Sequence, residues 1–449
     1  VRRCRSCDAM KRLLFDGERA FKDLEKLAVE FGSRPSGSDA EREPSRWIAS
    51  EFEAIGLRTT LEEFEVTTGR VVSKKLEVLE PYREEVGCEV MPLYGSTGPD
   101  GVVGDLIHLE TLDEEHLTPD VRGKIILTSG RPKDRKKAYG ILSKLKPLAI
   151  IIIESYPRIL AKNLWGSAIV KERFGEFPAV RVTYEDGLKL LEKGAKRAHL
   201  VARSEEAKVK SQNVVGELGG SERPEEIVIV GGHYDTIPKG PGAEDNAGGT
   251  ALVMELARVF KEKGTKRTMR FIAWGCEELG LLGSRDYATK LRKASEKAKE
   301  EDEDAETELD RVRLCINLDV HGALLGTNSS RILGPPELTA SVKLLSKETG
   351  TVFDVQEDVY SSDGTSLSAV GVPSVSFSRR APTNVLMHST EDDIRWLSPK
   401  ALQAQGEFIE RFLTRYVADA AGFPFERKIP DDHRKKIEAY FKRAMRKLP

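Results

Sequence analysis

In the second half of the chain, short unbroken apolar runs alternate with longer stretches in which apolar residues return every three or four positions. The runs "EEIVIVGGHYD" (225–235), "TMRFIAWG" (268–275), "RVRLCINLDV" (311–320) and "VPSVSFSR" (372–379) are of the first kind. The stretches "GTALVMELARVFKEKG" (249–264), closed by Gly264, "LGSRDYATKLRK" (282–293) and "PKALQAQGEFIERFLTRYVADA" (399–420) are of the second. Strands apolar on both faces, separated by amphipathic helices, predict an α/β fold: a mixed, largely parallel sheet flanked by helices.

The first half reads differently. "DGERAFKDLEKLAVEF" (16–31) and "DAEREPSRWIASEFEAIGL" (39–57) have helical periodicity, with Ser38 and Glu41 spaced as a capping box, and "LEEFEV" (61–66) alternates as a half-buried strand. From 71 to 209 the pattern shifts to short strands punctuated by Gly and Pro, "KLEVLE", "GVVGDLIHL", "GKIILTS", "LAIIIIES" and "PAVRVT", with few helices. The expected organisation is a discontinuous domain, 16–70 with 210–425, interrupted by a β-rich insert at 71–209 and followed by a basic helical tail at 426–449. The dense like charges of "EKAKEEDEDAETELDR" (296–311) repel and predict a solvated helix or loop.

Charge narrows the field of partners. With 71 basic and 73 acidic residues among 449, no global field recruits nucleic acid or an anionic membrane. The longest apolar run, "PLAIIIIE", is too short to span a bilayer, and "VRRCRSCDAMKRLLFDG" has no signal-peptide core. Five scattered cysteines, Cys4, Cys7, Cys88, Cys276 and Cys315, argue against a disulfide framework, so a cytoplasmic location is expected. Cys4 and Cys7 form a single C-x-x-C and lack the second pair that a closed zinc site needs. A homo-oligomer is compatible with the sequence.

Ligands of open α/β sheets bind beyond the carboxyl ends of the strands, and that rule sorts the acids. One strand ends in His233 and Asp235, the next in Glu277 and Glu278, and a third in Asp319. Asp245 immediately precedes a helix, and His388 lies in the loop "LMHSTEDD". Five of these side chains suffice to surround two divalent ions, because zinc accepts imidazole nitrogen and carboxylate oxygen and a metal pair needs a bridging carboxylate. Two such ions share and acidify a water, while another carboxylate, kept off the metals, takes its proton. His321, beside Asp319, and the isolated His108, His116 and His199 read as packing or surface residues.

"GGHYDT", "GAEDNAGGTA", "EELGLLGSRDY", "INLDVHG" and "MHSTEDD", in that order, resemble the zinc aminopeptidase family that includes bacterial double-zinc leucyl aminopeptidases and glutamate carboxypeptidases. The resemblance implies that His233 and Asp319 bind one zinc, that Glu278 and His388 bind the other, and that Asp245 bridges them; cobalt or manganese could use the same donors. It implies Glu277 as general base, Asp235 as the acid that orients His233, and a cis peptide between Asp245 and Asn246. Tyr360 in "VYSSDGTSL" would assist the oxyanion, although "DG" stands where relatives often have "DH". The insert resembles a protease-associated domain.

The implied activity is hydrolysis of amino-terminal residues from peptides. A carboxypeptidase of the same fold would need a cationic clamp, for which Arg379 and Arg380 are candidates, and non-catalytic receptors of this fold lose the ligands that are all present here. A serine hydrolase or a P-loop protein is excluded by the lack of G-x-S-x-G and of G-x-x-x-x-G-K-[ST].

Overall fold

The computed structural model describes residues 13–130, 132–155, 168–444 and 446–449; Cys4 and Cys7 lie outside them. The chain divides into two compact units. One holds the residues up to Phe64 together with Lys210–His388 and Asp392–Pro449, and the other holds Glu65–Val209 with Ser389–Glu391.

The first unit is built on a sheet of seven strands: the carboxyl-terminal part of β1 (Arg197–Leu218), β2 (Arg223–His233), β3 (Arg267–Trp274), β4 (Val312–Leu318), β5 (Thr327–Leu333), β6 (Phe353–Gln356) and β7 (Ser374–Arg380). Their order across the sheet is β6-β5-β7-β4-β2-β3-β1. The four central strands β7, β4, β2 and β3 are parallel, and β1 and β5 run antiparallel to their central neighbours.

Alternation along β2 shows why the strand is apolar throughout. Val228 and Val230 enter a core formed with helices α1 (Gly17–Glu25), α2 (Asp39–Ala54), α3 (Gly248–Lys263) and the later Pro399–Leu413. Ile227 and Ile229 point to the opposite face, into a core with Trp274, Tyr287 and Leu291. With helices on both faces, every strand position is buried and no polar alternation survives.

The chain passes from β2 to β3 on one side and then to β4 on the other side of β2. A crevice must open at that reversal, at the carboxyl ends of the strands. The start of α3 approaches it closely: a Cβ on Gly249 would stand 2.3 Å from the Leu318 carbonyl oxygen, so only glycine fits.

Two elements run further than their local pattern suggests. The helix predicted over 282–293 continues as Leu282–Glu301, carrying the start of the charged run on an exposed surface, and "LEEFEV" lies within one strand, Arg58–Glu80. The basic tail forms the helix Asp431–Arg443, whose Ile437, Tyr440 and Phe441 pack with Leu281 and Leu333 in the first unit.

In the second unit the strands Val102–Thr111, Ile125–Gly130, Ala149–Ile153 and Ala179–Val182 pair in parallel. Parallel neighbours need crossover connections, and the helices Arg135–Leu145 and Ala168–Phe174 lie between successive strands, so the unit is more helical than its sequence suggested. Among the described residues no helix is long and apolar enough to cross a membrane.

Candidate metal centre

β2 and β3 are in register at His233 and Trp274, which brings the His233 side chain level with the loop that follows β3. β4 ends at Leu318, directly before Asp319. Asp245 precedes α3, and its place is set by its neighbour. The Asn246 amide donates to the Leu318 carbonyl at 2.9 Å, and its Oδ1 accepts from the amides of Gly249 (2.9 Å) and Val320 (3.2 Å). Asn246 thereby ties the helix start to the end of β4, and the Asp245–Asn246 peptide is cis.

The structure gathers the five sequence candidates for metal ligands into two groups that share one acid. His233, Asp245 and Asp319 form the first, with the Nε2 of His233 3.1 Å from Asp245 Oδ1 and 3.4 Å from Asp319 Oδ1. Asp245, Glu278 and His388 form the second, with the Nε2 of His388 3.0 Å from Asp245 Oδ2 and 3.2 Å from Glu278 Oε2. The two oxygens of Asp245 thus face different histidines, the arrangement a bridging carboxylate requires.

Three oxygens test whether a cation belongs here. Both oxygens of Glu278 and Oδ1 of Asp319 are buried without a well-formed hydrogen bond among the described residues, Glu278 Oε2 and Asp319 Oδ1 making ion-pair contacts with His388 and His233. An unsatisfied buried polar atom costs about 1–3 kcal/mol, and more when it carries charge. Three of them converging with two imidazoles fit divalent ions, and the mixed nitrogen and oxygen donors suit zinc.

Electrostatics within the group points the same way. Burial works against a charged His233, but the carboxylates of Asp235, Asp245 and Asp319 outweigh it and raise its pKa well above the usual value. Burial would also raise Asp245, yet the two histidines hold it far below the carboxylate range. Glu278 is pushed up to about 8 by burial, against the pull of His388.

In the metal-free protein at neutral pH, His233 and Glu278 therefore carry protons that an incoming cation must displace. Zinc uptake is expected to release protons at pH 7, and its affinity to climb as pH rises through about 8. Calorimetry at pH 7 in two buffers of different ionisation enthalpy checks this; equal apparent binding enthalpies would contradict it.

Asp235 does more than orient one ring. Its Oδ1 lies 3.4 Å from His233 Nδ1, while its two oxygens accept the backbone amides of Glu277 (2.9 Å) and Glu278 (3.2 Å) and its Oδ2 accepts the Ser36 hydroxyl at 2.6 Å. It is fully buried and links the end of β2 to the loop after β3. Glu277, half-buried on that loop, is raised well above the ordinary carboxylate range by burial, with Glu278 and Asp363 adding and His233 opposing. Tyr360 is hydrogen-bonded to Ser378; burial pushes its pKa up, and the charges of Asp319 and Asp245 add to the effect.

Other candidates are placed elsewhere. His321 is buried with its ring nitrogens 2.9 Å from Gln405 Oε1 and from the Phe377 carbonyl. His199 is bonded to the Asp100 carbonyl and His116 to Thr111. Arg379 donates to Asn328 Oδ1 and the Leu324 carbonyl, both at 2.7 Å, and Arg380 to Asp354 at 3.1 Å.

Three supporting groups escaped the sequence reading. Asp392 accepts the amides of Glu244 (2.8 Å) and Asp245 (3.2 Å), and Glu244 in turn accepts from Thr383 and Asn384 of the loop that leads to His388, each at 3.0 Å. Arg34, fully buried, donates to the carbonyls of Tyr234 (2.6 Å) and Gly242 (3.1 Å), which bound the loop between His233 and Asp245. Asp392 and Glu244 lie in stretches already singled out, "MHSTEDD" and "GAEDNAGGTA", but nothing local marked their roles.

A centre at the strand ends with two groups that could each hold a cation, a shared carboxylate and a further acid outside both groups fits a metal-dependent hydrolase. Residues 213–413 match the model of peptidase family M28. The chain is 26% identical to aminopeptidase YwaD of Bacillus subtilis over 415 residues, covering 89% of this chain and 84% of that protein. It is also 26% identical to carboxypeptidase Q of Bos taurus over 286 residues, 60% of each chain. Its fold matches the solved structure of BSAP, a zinc aminopeptidase from Bacillus subtilis, with a TM-score of 0.76 and 25% identity over 94% of this chain and 100% of the other.

Proposed function

We propose that the protein is a zinc-dependent exopeptidase that removes amino-terminal residues from peptides. The observation that carries this reading is the pair of donor groups sharing Asp245, with Glu277 beside them and outside both groups. His233 and Asp319 would hold one zinc, Glu278 and His388 the other, and Asp245 both. Bound zinc would supply Lewis acidity, polarising the scissile carbonyl and making a water acidic enough to lose its proton near neutral pH.

The chain's own residues do the rest. Glu277 takes the proton from the attacking water and returns it to the departing amine, a task that suits a carboxyl whose environment raises its pKa. Asp235 keeps the His233 ring in place and fixes the amides of the loop that bears Glu277 and Glu278. The Tyr360 hydroxyl is a donor for the oxygen that gains charge as the carbonyl becomes tetrahedral.

The carboxypeptidase alternative is the weaker one. Its clamp would need a cation free to grip a terminal carboxylate, whereas Arg379 and Arg380 are engaged with Asn328, Leu324 and Asp354. The similarity to aminopeptidase YwaD, over most of both chains, supports the amino-terminal reading. By its sequence resemblance we read residues 71–209 as a protease-associated-like domain.

A peptide panel checks the direction of cleavage. The zinc-loaded protein should cleave free-amino and C-amidated peptides and leave their N-acetylated forms intact. Cleavage blocked by amidation and not by acetylation would make it a carboxypeptidase.

A further inference from the structure

Glu41 is a carboxylate in the wrong place for a helix cap. Ser38 caps α2 by accepting the Glu41 amide at 3.2 Å, and a capping box would have the Glu41 side chain return to the Ser38 amide. It does not. Only 1% exposed, the Glu41 carboxylate accepts the Gly37 amide at 2.7 Å and the Ser211 hydroxyl at 2.8 Å with one oxygen, and the Cys276 amide at 3.0 Å with the other.

Cys276 immediately precedes Glu277 and has φ 54°, the left-handed region that side-chain-bearing residues disfavour. A residue held there needs its surroundings to hold it. The surroundings are three successive amides fixed by two buried carboxylates: Cys276 by Glu41, then Glu277 and Glu278 by Asp235. Gly275 leaves the room, since a Cβ there would stand 2.5 Å from the Gln212 carbonyl oxygen and 3.1 Å from Glu41 Oε1.

We propose that Glu41, on a helix outside the family-matched segment, is a positioning residue for Glu277: it holds the left-handed turn at Cys276 that aims Glu277 at the attacking water and leaves Glu278 among the metal donors. The proposal rests on Glu277 as general base. Glu41 lies outside both donor groups and acts on the turn through the amide and the thiol of Cys276, both of which it accepts.

The test compares Glu41→Ala, Glu41→Gln and Ser211→Ala in the full-length, zinc-loaded protein. Glu41→Ala is expected to lower kcat tenfold or more, with KM within twofold of wild type and zinc content unchanged. Glu41→Gln keeps the volume and one carbonyl that can face Cys276, so it should fall between Ala and wild type. Ser211→Ala removes a bond to the other oxygen of the same carboxylate, leaves the bond to the Cys276 amide in place, and should leave kcat within twofold while lowering Tm.

A merely structural Glu41 would lower Tm or zinc content and leave kcat per zinc-loaded molecule intact in both Glu41 variants, and that result overturns the proposal. If Glu41→Ala does not fold, Glu41→Gln decides: a threefold or larger fall in kcat at unchanged KM supports the proposal, and wild-type kcat overturns it. If the wild-type protein cleaves no peptide, the functional reading has failed, and amide hydrogen exchange decides the positioning separately. Faster exchange at Cys276–Glu278 in the Glu41 variants supports it, and unchanged exchange there overturns it.

Discussion

Glu277→Gln is expected to keep both zincs and to lose turnover by about 10²- to 10⁴-fold, the range that removal of a general base produces. The separation of the two effects follows from geometry. Neither donor group contains Glu277, so its charge is not needed to hold a cation, and its backbone amide stays fixed to Asp235 in the variant. The amide side chain keeps the shape and loses the ability to take a proton. Steady-state kinetics alongside metal analysis reads both quantities: unchanged turnover would remove Glu277 from its role, and loss of zinc would place it among the ligands.

The sheet was legible because burial on both faces leaves an unbroken apolar run, which periodicity detects without knowledge of the neighbours. The runs at 225–235, 268–275, 311–320 and 372–379 contain β2, β3, β4 and β7 or overlap them closely, and they are the strands that deliver the site. The helical content of the second unit was harder to see. A helix such as Arg135–Leu145 buries only Ala138, Tyr139 and Leu142, and it opens on three basic residues and carries Gly140 at its centre, so its pattern reads as loop.

Three of the candidate metal donors, His233, Glu278 and Asp319, were legible for a different reason: they sit where strands end, and strand ends are visible in sequence. Asp245 and His388 lie off the strands, and the family resemblance supplied their roles. What stayed hidden works through space. Arg34 lies about 200 positions from the carbonyls of Tyr234 and Gly242 that it fixes, and Glu41 lies 235 positions from Cys276. In sequence Glu41 satisfied a local rule, the capping box, and that adequate local explanation concealed its contact with the loop that carries Glu277.

Asp245→Asn is expected to have the larger effect on the centre itself, because one residue serves both donor groups. Its two carboxylate oxygens lie 3.1 Å from His233 Nε2 and 3.0 Å from His388 Nε2, so neither can be spared without one group losing a donor. Asparagine keeps one oxygen and presents an NH₂ to the other group, where it cannot ligate. It also removes the negative charge that two cations a few ångströms apart would share, so the remaining group is weakened as well. The backbone, held by Asn246 to Leu318 and by Asp392 to the Asp245 amide, has reason to stay in place, so the loss should appear as metal affinity and not as unfolding. Metal content after dialysis is expected to fall from two zincs to one or none per chain, and activity by more than the loss caused by Glu277→Gln, with circular dichroism unchanged. Retention of two zincs by this variant would show that the two groups bind independently and that Asp245 does not bridge them.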